Sequence, residues 1–264
     1  MAPPPQNLWP RVFGAVDLTS VSDHTIRPVL YLHETHRIAG DRADDFEAAW
    51  REHAEAIASQ DDMRVLWFMH HAHGTGPSYT VVTVTGLRDG GAWERLARAF
   101  EGGGPPGRWA RAVDAMRHDH VAKLLAPVGW SALQEVDLTT IGASTGHDQT
   151  VYMEDTVSPF AGKLDAYIEA AGTLYARNTI GKRMAEGTSL LELRGAFRTL
   201  VGTNAGREVI LWQRVVRPQL LERLLTREVG PEHRGPGTWM HDALAYRDRW
   251  ESRLLRTAAW SPLD

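Results

Sequence analysis

The sequence predicts an α+β protein made of two tandem copies of one unit, each a four-stranded antiparallel sheet with helices on one face. Three observations carry this. His120–Leu133 (HVAKLLAPVGWSAL) aligns without a gap on Trp250–Leu263 (WESRLLRTAAWSPL), so a Trp-Ser-x-Leu motif recurs at a spacing of 130 in a chain of 264 residues. Upstream, Ala15-Val-Asp-Leu-Thr-Ser20 is echoed by Glu135-Val-Asp-Leu-Thr-Thr140. Between these marks, strand-like and helix-like hydrophobic periods follow each other in the same order in both halves. The expected units are residues 1–133 and 134–264.

Residues 1–10 are Pro-rich and read as loosely held. Val29–His36 (VLYLHETH) and its counterpart Thr150–Val157 (TVYMEDTV) read as strands, rich in apolar, aromatic and Thr residues. A helix follows in each half. Phe46, Ala49, Trp50, His53 and Ile57 make one apolar stripe, and Leu164, Tyr167, Ile168 and Ala171 repeat it. Two strands come next: Val65–His73 and Tyr79–Thr85 around Gly74-Thr-Gly-Pro77, then Leu190–Arg198 and Val209–Val216 around Gly202–Gly206. Short helices start at Trp93 and Leu221, break at Gly/Pro loops (Gly102–Gly107, Gly230–Gly237), and resume as longer helices. Those carry Trp109, Val113, Met116 and His120, or Trp239, Ala243, Tyr246 and Trp250. The order strand–helix–strand–strand–helix–strand is the ferredoxin-like βαββαβ arrangement. Each sheet has one face left to bury, so the two antiparallel sheets are expected to pack face to face as an α+β barrel.

Composition narrows the function classes. The net charge is −4 with acids and bases interspersed, which implies no face for nucleic acid. Cysteine is absent, removing disulfides, thiolate metal sites and Cys nucleophiles. No signal-peptide pattern and no 18-residue apolar run occur, so a cytoplasmic protein without a membrane span is expected. The Gly/Pro loops lack the Gly-x-x-x-x-Gly-Lys-Ser/Thr order of a phosphate cradle, and no Gly-x-Ser-x-Gly elbow marks a hydrolase.

Chemistry is expected where the copies differ. His70-His-Ala-His73 is set against Gly195-Ala-Phe-Arg198. Alternation places His71 and His73 on one face, His33 with Tyr31 and Thr35, and Glu34 with His36. His33, Glu34, His71 and His73 are the candidate acid/base residues, able to move protons near neutral pH. Glu192, Arg194 and Arg198 share a strand face, with Arg214 on the neighbouring strand, a set suited to an anionic or enolate-like group. Trp67 and Trp212 lie on strands near these clusters, where a flat ring could stack on an aromatic ligand or pack under a helix. Glu192, Arg194, Trp212, Arg214 and Trp67 are the candidate substrate-binding residues. The competing reading leaves the histidines solvated and the Glu192–Arg194 pair exposed. No metal and no cofactor are expected, although His-x-His with Glu34 has the composition of a two-His-one-carboxylate site, and His120 or His53 could serve haem.

Phe160-Ala-Gly-Lys-Leu164, the helix after it, and Glu251-Ser-Arg-Leu-Leu together with Trp260-Ser-Pro-Leu263 resemble the NIPSNAP family, of the dimeric α+β barrel superfamily. The similarity covers nearly all of both halves, and the second copy keeps the pattern better. It departs at the first strand, where the family tends to Glu-Leu-Arg-Thr-Tyr and this chain has Leu32-His-Glu-Thr-His36 and Met153-Glu-Asp-Thr-Val157. The resemblance implies a superfamily of cofactor-free monooxygenases, polyketide cyclases, muconolactone-type isomerases and haem enzymes, alongside NIPSNAP proteins. Fold alone does not choose among them. The expectation is a cofactor-independent enzyme acting on a hydrophobic, aromatic or polyketide-like small molecule in natural-product biosynthesis, by cyclisation, isomerisation or oxygenation. A non-catalytic NIPSNAP-type binding or scaffold protein and a haem protein are the alternatives. Duplication could close the barrel within one chain, and pairing of exposed sheet edges into a homodimer stays open.

Overall fold

The computed structural model describes residues 29–142, 146–201, 206–226 and 230–264. The Pro-rich start, the Ala15–Ser20 echo and most of the loop at 202–206 lie outside them. In chain order the strands are β1 Leu30–Ile38, β2 Met63–His71, β3 Thr80–Leu87, β4 Arg117–Pro127, β5 Val151–Ser158, β6 Leu191–Thr199, β7 Val209–Val215 and β8 Arg249–Thr257. The helices are α1 Ala43–Ile57, α2 Gly90–Glu101, α3 Pro105–Asp114, α4 Leu164–Ala170, α5 Lys182–Ala185, α6 Pro218–Thr226 and α7 Trp239–Asp242, with a π-helix at Ala171–Gly181 between α4 and α5.

The strands form one closed antiparallel barrel in the order β1-β3-β2-β8-β5-β7-β6-β4. Each half contributes its own run, β4-β1-β3-β2 and β8-β5-β7-β6, which is the expected ferredoxin-like order. Two short seams join the runs: Met69–His71 on Leu255–Thr257, and Leu125–Pro127 on Phe197–Thr199. Every strand therefore pairs on both sides, but each seam takes up only three residues of the strands that it joins, so residues 117–123 of β4 and 249–253 of β8 lie outside the seams.

Alternation along the strands sorts side chains between two environments. Tyr31, Trp67, Met69, Val82, Val84, Leu125, Tyr152, Phe197, Ile210, Trp212 and Leu255, contributed by all eight strands, fill the interior. The opposite faces carry the helices. Phe46, Trp50 and Ile57 of α1, Leu96 of α2 and Val113 of α3 pack on Val65, Phe68 and Val81, while Tyr167 and Ala171 pack on Val157, Val209 and Leu211. Local sequence places the ends of these helices. Asp89 caps α2 by accepting from the Ala92 N–H at 2.9 Å, and Pro105 opens α3 where its missing N–H costs nothing.

Two expectations are corrected. The late helices stop before His120 and Trp250: α3 ends at Asp114, and both residues lie on strands, β4 and β8. An apolar periodicity continued across the helix end, so the strand start was hidden. The Trp-Ser-x-Leu segments follow those strands rather than forming them.

These segments cross over. Ser131 Oγ accepts from the Ala196 N–H at 3.0 Å and the Val128 N–H donates to Ala196 O at 3.0 Å, so the first motif binds the second sheet. Reciprocally, Ser261 Oγ accepts from the Phe68 N–H at 3.2 Å and the Ala258 N–H donates to Phe68 O at 2.9 Å. Trp130 Nε1 donates to Ile168 O and Trp260 Nε1 to Glu47 Oε1, each at 2.9 Å, tying both motifs to the other half's first helix. Leu133 and Leu263 pack on the barrel interior. Ala196 and Phe68 sit just beyond matching β-bulges (Leu193/Gly195 and Val65/Trp67), where the ladder leaves an N–H in need of a partner.

Removing either serine hydroxyl should expose this dependence. Ser131→Ala and Ser261→Ala each leave one buried N–H unpaired, and each should lower stability by about 1–3 kcal/mol. Urea unfolding measures it. A midpoint unchanged from the wild type in either variant would remove the clasp from the account.

Candidate functional site

The centre of the barrel holds one buried charged group. On β1, Tyr31, His33 and Thr35 alternate inward, and His33 is 2 % exposed. Its Nε2 lies 2.8 Å from Oε2 of Glu154 on β5, which is 1 % exposed. Arg253 of β8 donates from Nε to Glu154 Oε1 at 2.8 Å and from Nη2 to Thr35 Oγ1 at 3.1 Å. Burial alone would raise the Glu154 carboxyl, but Arg253 and then His33 outweigh it and hold the group down at about 2. An ionised carboxylate only accepts, so the proton in the His33–Glu154 bond sits on His33 Nε2. His33 Nδ1 is then left buried and without a hydrogen-bond partner.

The pair has an internal meaning. Aligning the first strands, Tyr31 on Tyr152, puts His33 on Glu154. The two residues in contact are thus the same position of the two copies, meeting where the halves face each other. Two identical subunits would place like beside like there, imidazole on imidazole or carboxylate on carboxylate. Duplication within one chain permits an acid and a base instead.

Other polar atoms in this interior lack partners. His71 at the end of β2 has neither ring nitrogen bonded. Burial lowers it to about 4, Arg253 pushes further in the same direction, and Glu154 offsets part of this, so the ring is neutral at pH 7. Gly76 packs on this ring, and a Cβ there would collide with it. Trp212 meets His33 edge to face at 6.1 Å and Trp67 at 5.7 Å between centroids, and the indole Nε1 of each Trp is buried and unbonded. Trp67 Nε1 lies near the Tyr152 hydroxyl, which itself donates to Asp264 O at 2.6 Å. The facing positions are size-matched: Trp67 pairs with Val84, and Trp212 with Gly195, where a Cβ would come within 2.8 Å of Leu133 and 2.9 Å of Phe197.

The sequence candidates are divided by this geometry. His33, His71, Trp67 and Trp212 share the interior, and neither Trp packs under a helix. Glu34 points to the helix side, where its Oε1 is 2.8 Å from His120 Nε2, and His120 stacks on His36 at 5.1 Å. His73 lies past the end of β2 and is exposed, so it does not share a strand face with His71. Glu192 bonds Arg194 at 3.3 Å and Arg214 at 2.9 Å and is paired with both, which leaves neither guanidinium free of a carboxylate. The β6 bulge breaks the expected face of Glu192, Arg194 and Arg198: beyond it Gly195 and Phe197 point inward with Glu192, and Arg198 turns outward. The strand starts, Met63 and Leu191, also move the comparison of the copies by three residues. Phe68 corresponds to Ala196, so His70 matches Arg198 and His71 matches Thr199. His70 faces α1, bonded to Glu47 at 2.9 Å.

Sequence reasoning did not single out Glu154 or Arg253. The alignment of His33 with Glu154 was the available signal, but no local pattern says that equivalent positions touch. Among the described residues no group of three His, Cys, Asp or Glu could hold a metal ion, so the His-x-His and Glu34 set does not assemble. Of the histidines considered for haem, His53 lies flat against Trp109 at 3.9 Å, between Trp50 and Phe100, and His120 is held by His36 and Glu34. No helix among the described residues is long and apolar enough to cross a membrane.

No protein-family model matches the sequence, and no protein of curated function matches it at significance. Solved structures do match. A proposed monooxygenase from Lactobacillus acidophilus is 10% identical, with 89% of this chain and 98% of that one covered at a TM-score of 0.53. An anthrone oxidase-like protein is also 10% identical, with 88% and 92% covered at 0.54. A NIPSNAP family protein from Agrobacterium tumefaciens, 15% identical, covers 41% of this chain and 93% of its own, at 0.32. At these identities the likeness is one of fold: the chain has the α+β barrel architecture expected from its sequence.

The central carboxylate makes stability depend on pH in a defined direction. Glu154 is held at about 2 against 4.5 ordinarily, so its contribution is complete above the ordinary value and is lost as pH falls toward 2. The whole effect is on the order of 3 kcal/mol. Melting temperature measured from roughly pH 5 to pH 2 should therefore fall more steeply for the wild type than for Glu154→Gln. At neutral pH the variant should be less stable, because Arg253 loses its counter-charge. Superimposable acid limbs would contradict the ionised state described here.

Proposed function

We propose that the chain is a cofactor-independent enzyme whose barrel centre removes a proton from a hydrophobic aromatic or polyketide-like small molecule. The observation that carries this reading is the Glu154–His33 pair with His33 Nδ1 buried and unbonded. Glu154 fixes the ring and its tautomer, leaving the Nδ1 lone pair as general base and stabilising the imidazolium that forms. The proton moves from a C–H or phenolic O–H of the substrate to Nδ1, and the electron pair moves onto the substrate oxygen. The unbonded indole N–H groups of Trp67 and Trp212 are suited to that oxyanion, since Arg194 and Arg214 are committed to Glu192. Neutral His71 is a second base in the same interior. Cyclisation or isomerisation would follow from the enolate directly, and oxygenation would add dioxygen as co-substrate. The names of the structurally similar proteins, a monooxygenase and an anthrone oxidase-like protein, agree with enolate chemistry of this kind.

One observation favours a second reading. Tyr31, Trp67, Tyr152 and Trp212 are each at most 2 % exposed and fill the interior, as a non-catalytic NIPSNAP-type scaffold or binding protein would have it.

Hydrogen–deuterium exchange separates the two. Anthrone, an enolisable aromatic ketone, is incubated with the protein in deuterium oxide, and exchange at its methylene is followed by NMR. The wild type should accelerate exchange, and His33→Ala should reduce that acceleration by roughly 10²–10⁴-fold, the usual size of a general-base contribution. Acceleration that survives His33→Ala and His71→Ala singly would sink the proposed base. No acceleration by the wild type, with anthrone and simpler phenols alike, would favour the scaffold.

A further inference from the structure

The first half shows what a satisfied arginine looks like at the start of its last strand. Arg117 Nη1 bonds His36 Nδ1 at 2.7 Å, and its Nη2 pairs with Asp114, three residues earlier. The corresponding residue of the second half is Arg247. The correspondence is fixed by the backbone: the Ala39 N–H donates to Met116 O at 2.9 Å, and the Phe160 N–H donates to Tyr246 O at 2.9 Å, one residue before each arginine. Carrying the same register across, His36 becomes Val157 and Asp114 becomes Leu244. The second copy has kept the arginine and lost both of its partners.

Arg247 is nonetheless only 5 % exposed, and its Nε and Nη1 are buried without a hydrogen bond. Its guanidinium lies 3.9 Å over the ring of Trp250, with Trp239 at 6.0 Å and the Tyr167 hydroxyl beside it. Aromatic faces and the Tyr167 hydroxyl, which is within hydrogen-bonding reach of the guanidinium, offset part of the cost of burying a cation but supply no counter-charge. Asp155 attracts Arg247 across the face but makes no ion pair with it, and its oxygens accept from Ser252 at 2.5 Å and from Gln213 at 3.0 Å. In the first half the Asp114 side chain that pairs with Arg117 is 61% exposed, and Leu244 at the equivalent position is 52% exposed. Next to Arg247 opens a groove of about 580 Å³ lined by Ser158, Phe160, Leu164, Arg207, Asp248 and Arg249 among others. It combines apolar surface with cationic side chains.

We propose that Arg247 anchors a binding site for a small oxyanion, a carboxylate or a phosphate, which enters on the Leu244 side and takes the place that Asp114 and His36 fill in the first half. The site lies on the helix-covered outer face of the second sheet, apart from the barrel centre, and it does not depend on the reaction there. The adjoining groove fits an anion with an apolar body.

Thermal unfolding of the whole protein in sodium phosphate and in sodium acetate, each matched in ionic strength with sodium chloride, tests the site. Wild-type Tm should rise by several degrees between zero and about 50 mM of at least one anion, beyond the chloride control. A rise with acetate alone, phosphate alone or both assigns the anion class. Arg247→Met should lose the anion-dependent rise. Leu244→Asp, at a half-exposed position that should tolerate it, supplies the partner from within the chain. Its Tm without added anion should be higher than the wild type's, and the anion-dependent rise should be lost. Absence of a rise in the wild type with either anion overturns the site, as does a full rise that persists in Leu244→Asp.

Discussion

Each sheet of this protein has an inner face lined by Trp, Tyr, Met and Leu side chains, and only the other sheet can cover it. Burial of that face, at about 25 cal/mol per Å² of apolar surface, is the term on which the remaining structure depends. The covering is secured by exchange. The closing segment of each half reaches across to the other half's bulge and first helix, so neither sheet completes its own hydrogen bonding. Ser131 on Ala196 and Ser261 on Phe68 are the two ends of this exchange. The doubled Trp-Ser-x-Leu motif is retained in both copies because each is the other's missing part.

Where the requirement is mutual, the copies stay alike: Tyr31 and Tyr152, Ser131 and Ser261, Leu133 and Leu263. Where it is not, they have diverged in complementary ways. A bulky Trp67 faces Val84, and a bulky Trp212 faces Gly195 in the matching rung, which keeps the interior volume constant while moving the large side chain to the partner strand. At the centre the same freedom turns one position into His33 on one side and Glu154 on the other. A symmetric dimer cannot make that choice, since two like charges in contact without solvent repel or force one to neutralise. Duplication thereby supplies an acid–base pair at the one place where a homodimer is restricted to identical groups. Arg117 and Arg247 show the same process on the outer face, one with its partners intact and one without.

Much of the fold was legible from residues. The strand and helix stretches, their order and the doubled motif gave the ferredoxin-like halves, and alternation put His33 and Glu34 on opposite faces of the first strand without saying which face lines the interior. One error came from a one-residue irregularity. A bulge adds a residue to one strand and reverses every later side chain. That is why Arg198 left the face of Glu192. The His70–His73 comparison was displaced by three because the strands were matched from Val65 and Leu190, whereas β2 begins at Met63 and β6 at Leu191. The end of α3 was missed because helical and strand periods overlap at Met116 and His120. His73 was placed on a strand that stops at His71, where Gly74 takes a positive φ of 78° and turns the chain.

The sequence by itself determined the class of fold, the duplication, the sorting of first-strand side chains between two faces and the absence of cysteine chemistry, because these depend on period and composition over many residues. Tertiary structure alone decided that the two sheets share both edges and that the closing segments cross. It also decided that His33 meets its own counterpart, and that Glu154 and Arg253, unremarkable in the sequence, form the central charge. The physical reason is range. Hydrophobic period is a local property that accumulates along a strand, whereas a contact between residues 121 positions apart depends on how two faces register against each other, and nothing in either strand alone records that.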